Sequence, residues 1–273
     1  MPHIQANGIN IYYELNGGDD KPLVVFINGI FQDTSSWSLA TRAFADTFRT
    51  LVYDCRGQGQ TDKPLDGPYT SELHARDLAA LLDALHIGRA HVVGLSNGGI
   101  ILMHVARHFP ERLNKIVLLD TFAFMDASQQ AMLNSWRAVL LVGGSALRFD
   151  VSMPWTWGRD FLENNLEAVL ALRERAATLP VHSSIHLIDG AREHEARPWL
   201  PSITAPTLIV HGDEDRMALP RSAREMQSLI PNARLHWLSG AGHAAWLEQA
   251  AEFHQVTKRF LSDADVQDER GSD

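Results

Sequence analysis

Five runs of nearly unbroken apolar residues, each of strand length, constrain this chain more than any other feature. They are Leu23 to Ile27, Thr50 to Tyr53, His91 to Val93, Ile116 to Leu119 and Thr207 to Val210. A strand that is apolar on both faces belongs inside a sheet covered on both sides. Ile9 to Leu15 reads as an edge strand after a turn at Asn7-Gly8, and Leu235 to Leu238 as a last strand. Helical patterns separate them at Ser36 to Phe48, Ser71 to His86, Asn97 to Phe109, Arg221 to Ile230 and Ala245 to Leu261. Pro110 and Pro231 close the third and fourth. Strand alternating with helix predicts an α/β fold around a mainly parallel, doubly wound sheet. With 273 residues, 45% of them hydrophobic, the chain can bury the core such a sheet needs.

The alternation fails once. From Thr121 to about Leu200 the pattern is helical, is punctuated by Pro154, Pro180 and Pro198, and holds four of the seven tryptophans. An insertion between two core strands reads as a cap over the carboxyl edge of the sheet, where open α/β sheets place ligands. The chain therefore divides into a core of residues 1–120 and 201–261, a helical cap of 121–200, and a polar, acidic tail of 262–273 expected to be disordered.

Charge and cysteine content narrow the partners. A net charge of −9 gains nothing from phosphate counterion release, so nucleic acid is excluded as a partner. No basic block suits anionic lipid. The longest nearly apolar run, Ala138 to Leu147, falls well short of the ~20 residues of a membrane span. No basic-then-apolar leader stands at Met1 to Gln5, and the single cysteine, Cys55, allows no internal disulfide. A reducing cytoplasm is the expected compartment.

The chemistry centres on Gly94-Leu95-Ser96-Asn97-Gly98, a G-x-S-x-G between a strand and a helix. The chain must turn sharply there, with Ser96 at the corner and the helix N-terminus offering free N–H groups beside its oxygen. A serine hydroxyl needs a base to become nucleophilic. Thirteen histidines compete for that role, and His243, in the loop Ser239 to His243 after the last strand, is the best placed. The base in turn needs a carboxylate to orient it. Asp215, just after the strand ending at Val210, is expected to do this, with Asp120 as main rival and Asp213 and Glu214 as neighbours. An oxyanion would be held by the N–H of Asn97 and by that of Ile30 or Phe31, Ile30 first, after Asn28-Gly29. Asn28, Phe31, Phe122, Met125, Trp136, Trp155 and Trp157 are candidate substrate-binding residues, giving a largely apolar acyl pocket.

Together these residues resemble the α/β-hydrolase superfamily, from about Ile9 to Leu261. Asp54-Cys55-Arg56-Gly57-Gln58-Gly59-Gln60-Thr61-Asp62 is similar to the family's D-x-R-G-x-G-x-S-D loop, and Gly242-His243 with Glu248 to its histidine loop. The resemblance implies the α/β-hydrolase fold with its cap inserted after the sixth strand, a Ser-Asp-His triad in that chain order, and no cofactor. The implied function is hydrolysis of an ester, lactone or thioester of a small to medium apolar acyl substrate through an acyl-enzyme, with a highly charged substrate disfavoured. Ser96 argues against the aspartate-nucleophile dehalogenases and epoxide hydrolases. Asn28-Gly29 replaces the usual His-Gly. With Thr34-Ser35-Ser36-Trp37 it is similar to 3-hydroxyacyl acyltransferases, so acyl transfer is the second reading. Carbon–carbon bond hydrolysis and a non-catalytic binding role are the others.

Other signals stay bland. Gly57-Gln58-Gly59 lacks the third glycine of a nucleotide loop. His104 with His108, and His182 with His186, have metal-ligand spacing but no third ligand, so no metal is expected. Cys55 reads as a buried small residue.

Overall fold

The computed structural model describes residues 2–262. Eight strands form one sheet: β1 (His3–Ala6), β2 (Ile9–Asn16), β3 (Leu23–Ile27), β4 (Arg49–Tyr53), β5 (Ala90–Leu95), β6 (Leu113–Leu119), β7 (Thr207–Gly212) and β8 (Arg234–Leu238). Their order is β1-β2-β4-β3-β5-β6-β7-β8. β1 and β2 pair antiparallel, as do β2 and β4, and every pair from β4 to β8 is parallel.

The pleat explains why the central strands read as unbroken apolar runs. Alternate residues serve two separate cores. Val25, Ile27, Val92, Ile116, Leu118 and Ile209 face one, with α2 (Ser71–Ala84) and α3 (Asn97–His108). Val24, Phe26, Val93, Val117, Leu119 and Val210 face the other, with Phe44 of α1 (Ser38–Phe44) and Phe253 and Phe260 near the C-terminus.

Three expectations are corrected. Ile9 to Leu15 is not the edge: β1 adds outside it through a two-residue turn, with φ of 46° at Asn7 and 77° at Gly8. A short, half-polar edge strand such as His3–Ala6 carries little periodic signal. The helix expected over 36–48 is a 3₁₀ turn at Thr34–Trp37 followed by the shorter α1. The terminal helix is interrupted at Gln249, whose φ and ψ of −121° and 47° lie outside helix.

Between β6 and β7 lie α4 (Ala127–Thr156), α5 (Arg159–Ala176) and α6 (Val181–Ala191). Asp126 and Gln129 form a capping box at the start of α4. α4 kinks at Gly144, where φ is 69° and only glycine is at ease. After β7, α7 (Pro220–Leu229) leads to β8, followed by α8 (Ala245–Glu248) and α9 (Ala250–Ser262). No helix of the described residues is long and apolar enough to cross a membrane. The disorder expected of the tail falls, beyond Ser262, outside the described residues.

Candidate active site

Ser96 occupies the corner between β5 and α3 with φ 52° and ψ −114°, a strained conformation for a residue bearing a Cβ. The surroundings hold it there. Its N–H donates to Leu119 O at 2.8 Å, and its carbonyl accepts from Thr121 Oγ1 at 2.8 Å. Close approach demands glycine on either side. A Cβ on Gly94 would stand 2.4 Å from Gly98 O, and one on Gly98 would stand 2.4 Å from Ile27 O.

The loop after β8 brings His243 to this corner. Its Nε2 lies 2.9 Å from Ser96 Oγ, and its Nδ1 lies 2.8 Å from Asp215 Oδ2. With the ring proton on Nδ1 donated to Asp215, Nε2 is free to accept the serine proton. Asp215, in the turn after β7, is buried, and its second oxygen accepts from the amides of Met217 and Ala218 at 2.8 and 2.9 Å. The neighbouring acids turn elsewhere. Asp213 accepts from Gly240 N and Ser239 Oγ, and Glu214 from Arg159 N.

Asp120, which follows β6, makes no hydrogen bond to His243. Its two oxygens accept from Gly212 N and Ala245 N at 2.9 and 3.2 Å, tying the acid turn to the start of α8. Burial, reinforced by the Asp215 charge, pushes its carboxyl well above the usual range. His211 lies beside both acids, its Nε2 2.6 Å from Ala218 O, and burial lowers its pKa. Asp120, His211 and Asp215 bring ligand-type atoms within 4.8 Å of one another, but the protein's own donors and acceptors already engage each of them. Glu248 bonds the amides of Gly158 and Gly242, both at 3.0 Å, which fixes the histidine loop against the start of α5.

The loop after β3 is built from its neighbours. Gly29 N donates to Gln32 Oε1, and Gln32 N to Gln58 Oε1 of the segment Asp54 to Asp62. That segment is structural. Arg56 makes a two-pronged ion pair with Asp77 of α2, at 2.9 and 2.7 Å, and Asp54 accepts from Thr34 N and Gln60 N. Among the described residues the amides of Ile30, Phe31 and Asn97 donate to no protein acceptor.

A cavity of about 420 Å³ opens on Ser96 and His243. Ile30, Phe31, Asn97, Phe122, Met125, Trp136 and Trp157 line it, with α4 and α5 closing one side. Two candidates do not. The Asn28 side chain is buried and turned away, donating to Tyr53 O at 3.1 Å. Trp155 is 49% exposed, on the outward stripe of α4 with Leu147 and Val151. Sequence reading missed Gln129, Arg148, Phe149 and Trp246, which also line the cavity. The paired histidines are engaged elsewhere: His182 and His186 lie 3.5 and 2.9 Å from the carbonyls of Lys63 and Leu65, and His104 stacks on His108. Burial pushes the Cys55 thiol up to about 12, leaving it protonated and inert.

Known proteins share this architecture. The chain is 28% identical to 3-oxoadipate enol-lactonase 2 of Acinetobacter baylyi, across 94% of this chain and 96% of that protein. It is 29% identical to a 2-hydroxy-6-oxononadienedioate/2-hydroxy-6-oxononatrienedioate hydrolase of Burkholderia vietnamiensis, across 93% and 91%. The crystal structure of the enol-lactonase from Burkholderia xenovorans LB400 superimposes with a TM-score of 0.91 at 27% identity, across 96% of this chain and all of that one. The family model for the alpha/beta hydrolase fold matches residues 22–250, and with the sheet order and elbow described above the chain belongs to that family of hydrolases.

Proposed function

We propose that this protein is a serine hydrolase that cleaves a carboxylic ester, lactone or thioester of a small to medium acyl substrate through an acyl-enzyme. The observation that carries the reading is the continuous relay from Ser96 Oγ to His243 at 2.9 Å and on to Asp215 at 2.8 Å, at the floor of a cavity of about 420 Å³. Ser96 attacks the carbonyl carbon as His243 Nε2 takes its proton. The amides of Asn97 and of Ile30 or Phe31 receive the oxyanion. His243 then gives the proton to the leaving oxygen or sulfur, and afterwards takes one from the water that releases the acid. Asp215 stays ionised and holds the imidazole. Residues 121–200 act as a cap that shapes the acyl site and excludes water. The lactonase relative supports a cyclic or linear ester, and the buried, unpaired Cys55 supports a reducing, cytoplasmic setting.

Of the alternatives, carbon–carbon bond hydrolysis now stands ahead of the acyl transfer that the sequence put second, because the oxononadienedioate hydrolase relative favours it. A panel of p-nitrophenyl esters of increasing acyl length, run with Ser96→Ala alongside and with a fluorophosphonate probe of Ser96, tests the first. Ester turnover and probe labelling that both vanish in the variant support the serine hydrolase. Labelling of Ser96 without ester turnover shifts the reading to a carbon–carbon substrate. No labelling overturns both readings.

A further inference from the structure

Arg148 is a charged residue of the cavity wall to which the acyl-transfer chemistry assigns no role. The buried residues of α4 include Leu133, Trp136 and Leu140, then Ser145, Arg148 and Ser152 beyond the kink at Gly144. The kink shifts the inward stripe by one residue and brings Arg148 onto it, at 6% exposure and lining the same cavity as Ser96. Among the described residues its single hydrogen bond runs from Nη1 to Ser152 Oγ at 3.2 Å, and Nε is buried with no acceptor. No carboxylate pairs with it there. Its guanidinium carbon lies 4.3 Å from the centroid of Phe31. Burial lowers its pKa only to about 10, so it is charged at neutral pH.

A buried cation without a counter-ion destabilises a fold unless something supplies the missing charge. The other cationic side chains at the cavity are committed. Arg175 pairs with Asp33, and Lys63 Nζ donates to the carbonyls of Gly59 and Thr61. One guanidinium with an unused donor suits one planar monoanion, for which a carboxylate is the match; a phosphate dianion needs more donors than this wall provides. Phe31 links the two ends of the site. Its ring meets Arg148, and its backbone belongs to the loop offered to the oxyanion.

We propose that Arg148 binds a carboxylate carried on the acyl chain of the substrate, remote from the carbonyl attacked by Ser96. The physiological substrate is then an acidic ester, lactone or thioester, with its methylenes against the apolar wall and its anion on the guanidinium. The inference rests on the reading of Ser96 as nucleophile for its chemistry, but carboxylate binding can be measured without turnover.

The test compares two esters of equal chain length, mono-p-nitrophenyl adipate and p-nitrophenyl hexanoate, in wild type, Arg148→Gln and Arg148→Lys. Thermal melts verify that each variant is folded. The expected result is a wild-type preference for the adipate ester in kcat/KM. Losing one charge-assisted hydrogen-bonded contact should cut that preference about ten- to a hundredfold in Arg148→Gln, mainly through KM, with Arg148→Lys retaining part of it. The same preference in wild type and Arg148→Gln, or none in wild type, would overturn the proposal. In parallel, calorimetry on Ser96→Ala measures binding of adipate against neutral 1,6-hexanediol. Adipate binding that is lost when Arg148→Gln is added supports the site even if no ester is turned over, in which case only the hydrolase reading has failed. Absence of adipate binding in a folded Ser96→Ala protein overturns the site whatever the esters do.

Discussion

Replacing Asp215 by asparagine discriminates between the two buried acids at the sheet edge. Asp215 Oδ1 receives two amide donors, from Met217 and Ala218, while Oδ2 receives the Nδ1 proton of His243. An asparagine can satisfy both amides only with its carbonyl oxygen in the Oδ1 position. Its NH₂ then faces His243 Nδ1, which must become an acceptor. The ring proton moves to Nε2 and points at Ser96 Oγ, where a lone pair is needed. The charge that stabilised the imidazolium is lost as well. Wrong tautomer and lost charge together should lower kcat about 10⁴-fold, about 5.5 kcal/mol of transition-state stabilisation. Asp120 bonds only backbone amides and is already held toward its neutral form. Asp120→Asn leaves either Gly212 N or Ala245 N facing an NH₂ and so costs stability, but it should lower kcat less than about tenfold, about 1.4 kcal/mol. The assay is turnover of the best p-nitrophenyl ester by both variants, with matched thermal melts and the rate of fluorophosphonate labelling. If Asp215→Asn retains activity within tenfold of wild type, or Asp120→Asn carries the larger loss, the assignment of the orienting carboxylate is refuted.

Gly98→Ala should disturb both stability and catalysis. Its Cβ would press on Ile27 O at 2.4 Å, forcing α3 off β3 at a cost of about 1–3 kcal/mol and moving Ser96 enough to lose about a hundredfold in kcat; melting and ester turnover measure the two, and an unshifted melt would contradict the close approach. Acid should unfold the protein through its buried histidines. His74 is held neutral, its pKa lowered to about 4 by burial, whereas the unfolded chain protonates it near 6.5. This contribution is intact above pH 6.5 and is lost as pH falls from 6.5 toward 4, by about 1.4 kcal/mol per pH unit and about 3 kcal/mol in all. His91 and His104, also lowered to about 4, and His194, lowered to about 3, act in the same direction. Denaturant titrations from pH 7 to 4.5 should show a shallower slope for His74→Leu than for wild type, and parallel slopes would argue against a buried neutral imidazole. Cys55 should resist a thiol reagent in the folded protein and react at once in denaturant, since its thiol is buried and protonated; rapid labelling of the native protein would show that the loop after β4 opens.

Local sequence determined the sheet and its elbow. A strand buried on both faces is apolar over most of its length, so β3, β5, β6 and β7 stand out without any tertiary information. The strand–turn–helix run around Ser96 is legible in the local sequence, although only Gly94 is required by a nearby atom, Gly98 O, whereas Gly98 is required by Ile27 O of the adjacent strand. β1 escaped because a short edge strand is half polar, and the break at Gln249 because nothing in Ala245 to Leu261 interrupts the helical period. The site itself is a matter of long-range geometry. Ser96 and His243 are 147 residues apart, and the loops that carry Asp215 and Asp120 end adjacent parallel strands. Periodicity puts both acids at one sheet edge, and only the packed loops decide which of them faces the imidazole. Arg148 makes the same point. Helical period alone puts it out of step with Leu133, Trp136 and Leu140, and the single left-handed residue Gly144 turns it into the cavity. Periodicity is a property of the chain over one or two turns, whereas a site is a coincidence of side chains from distant segments, decided by kinks, loop registers and buried hydrogen bonds that exist only once the core has formed.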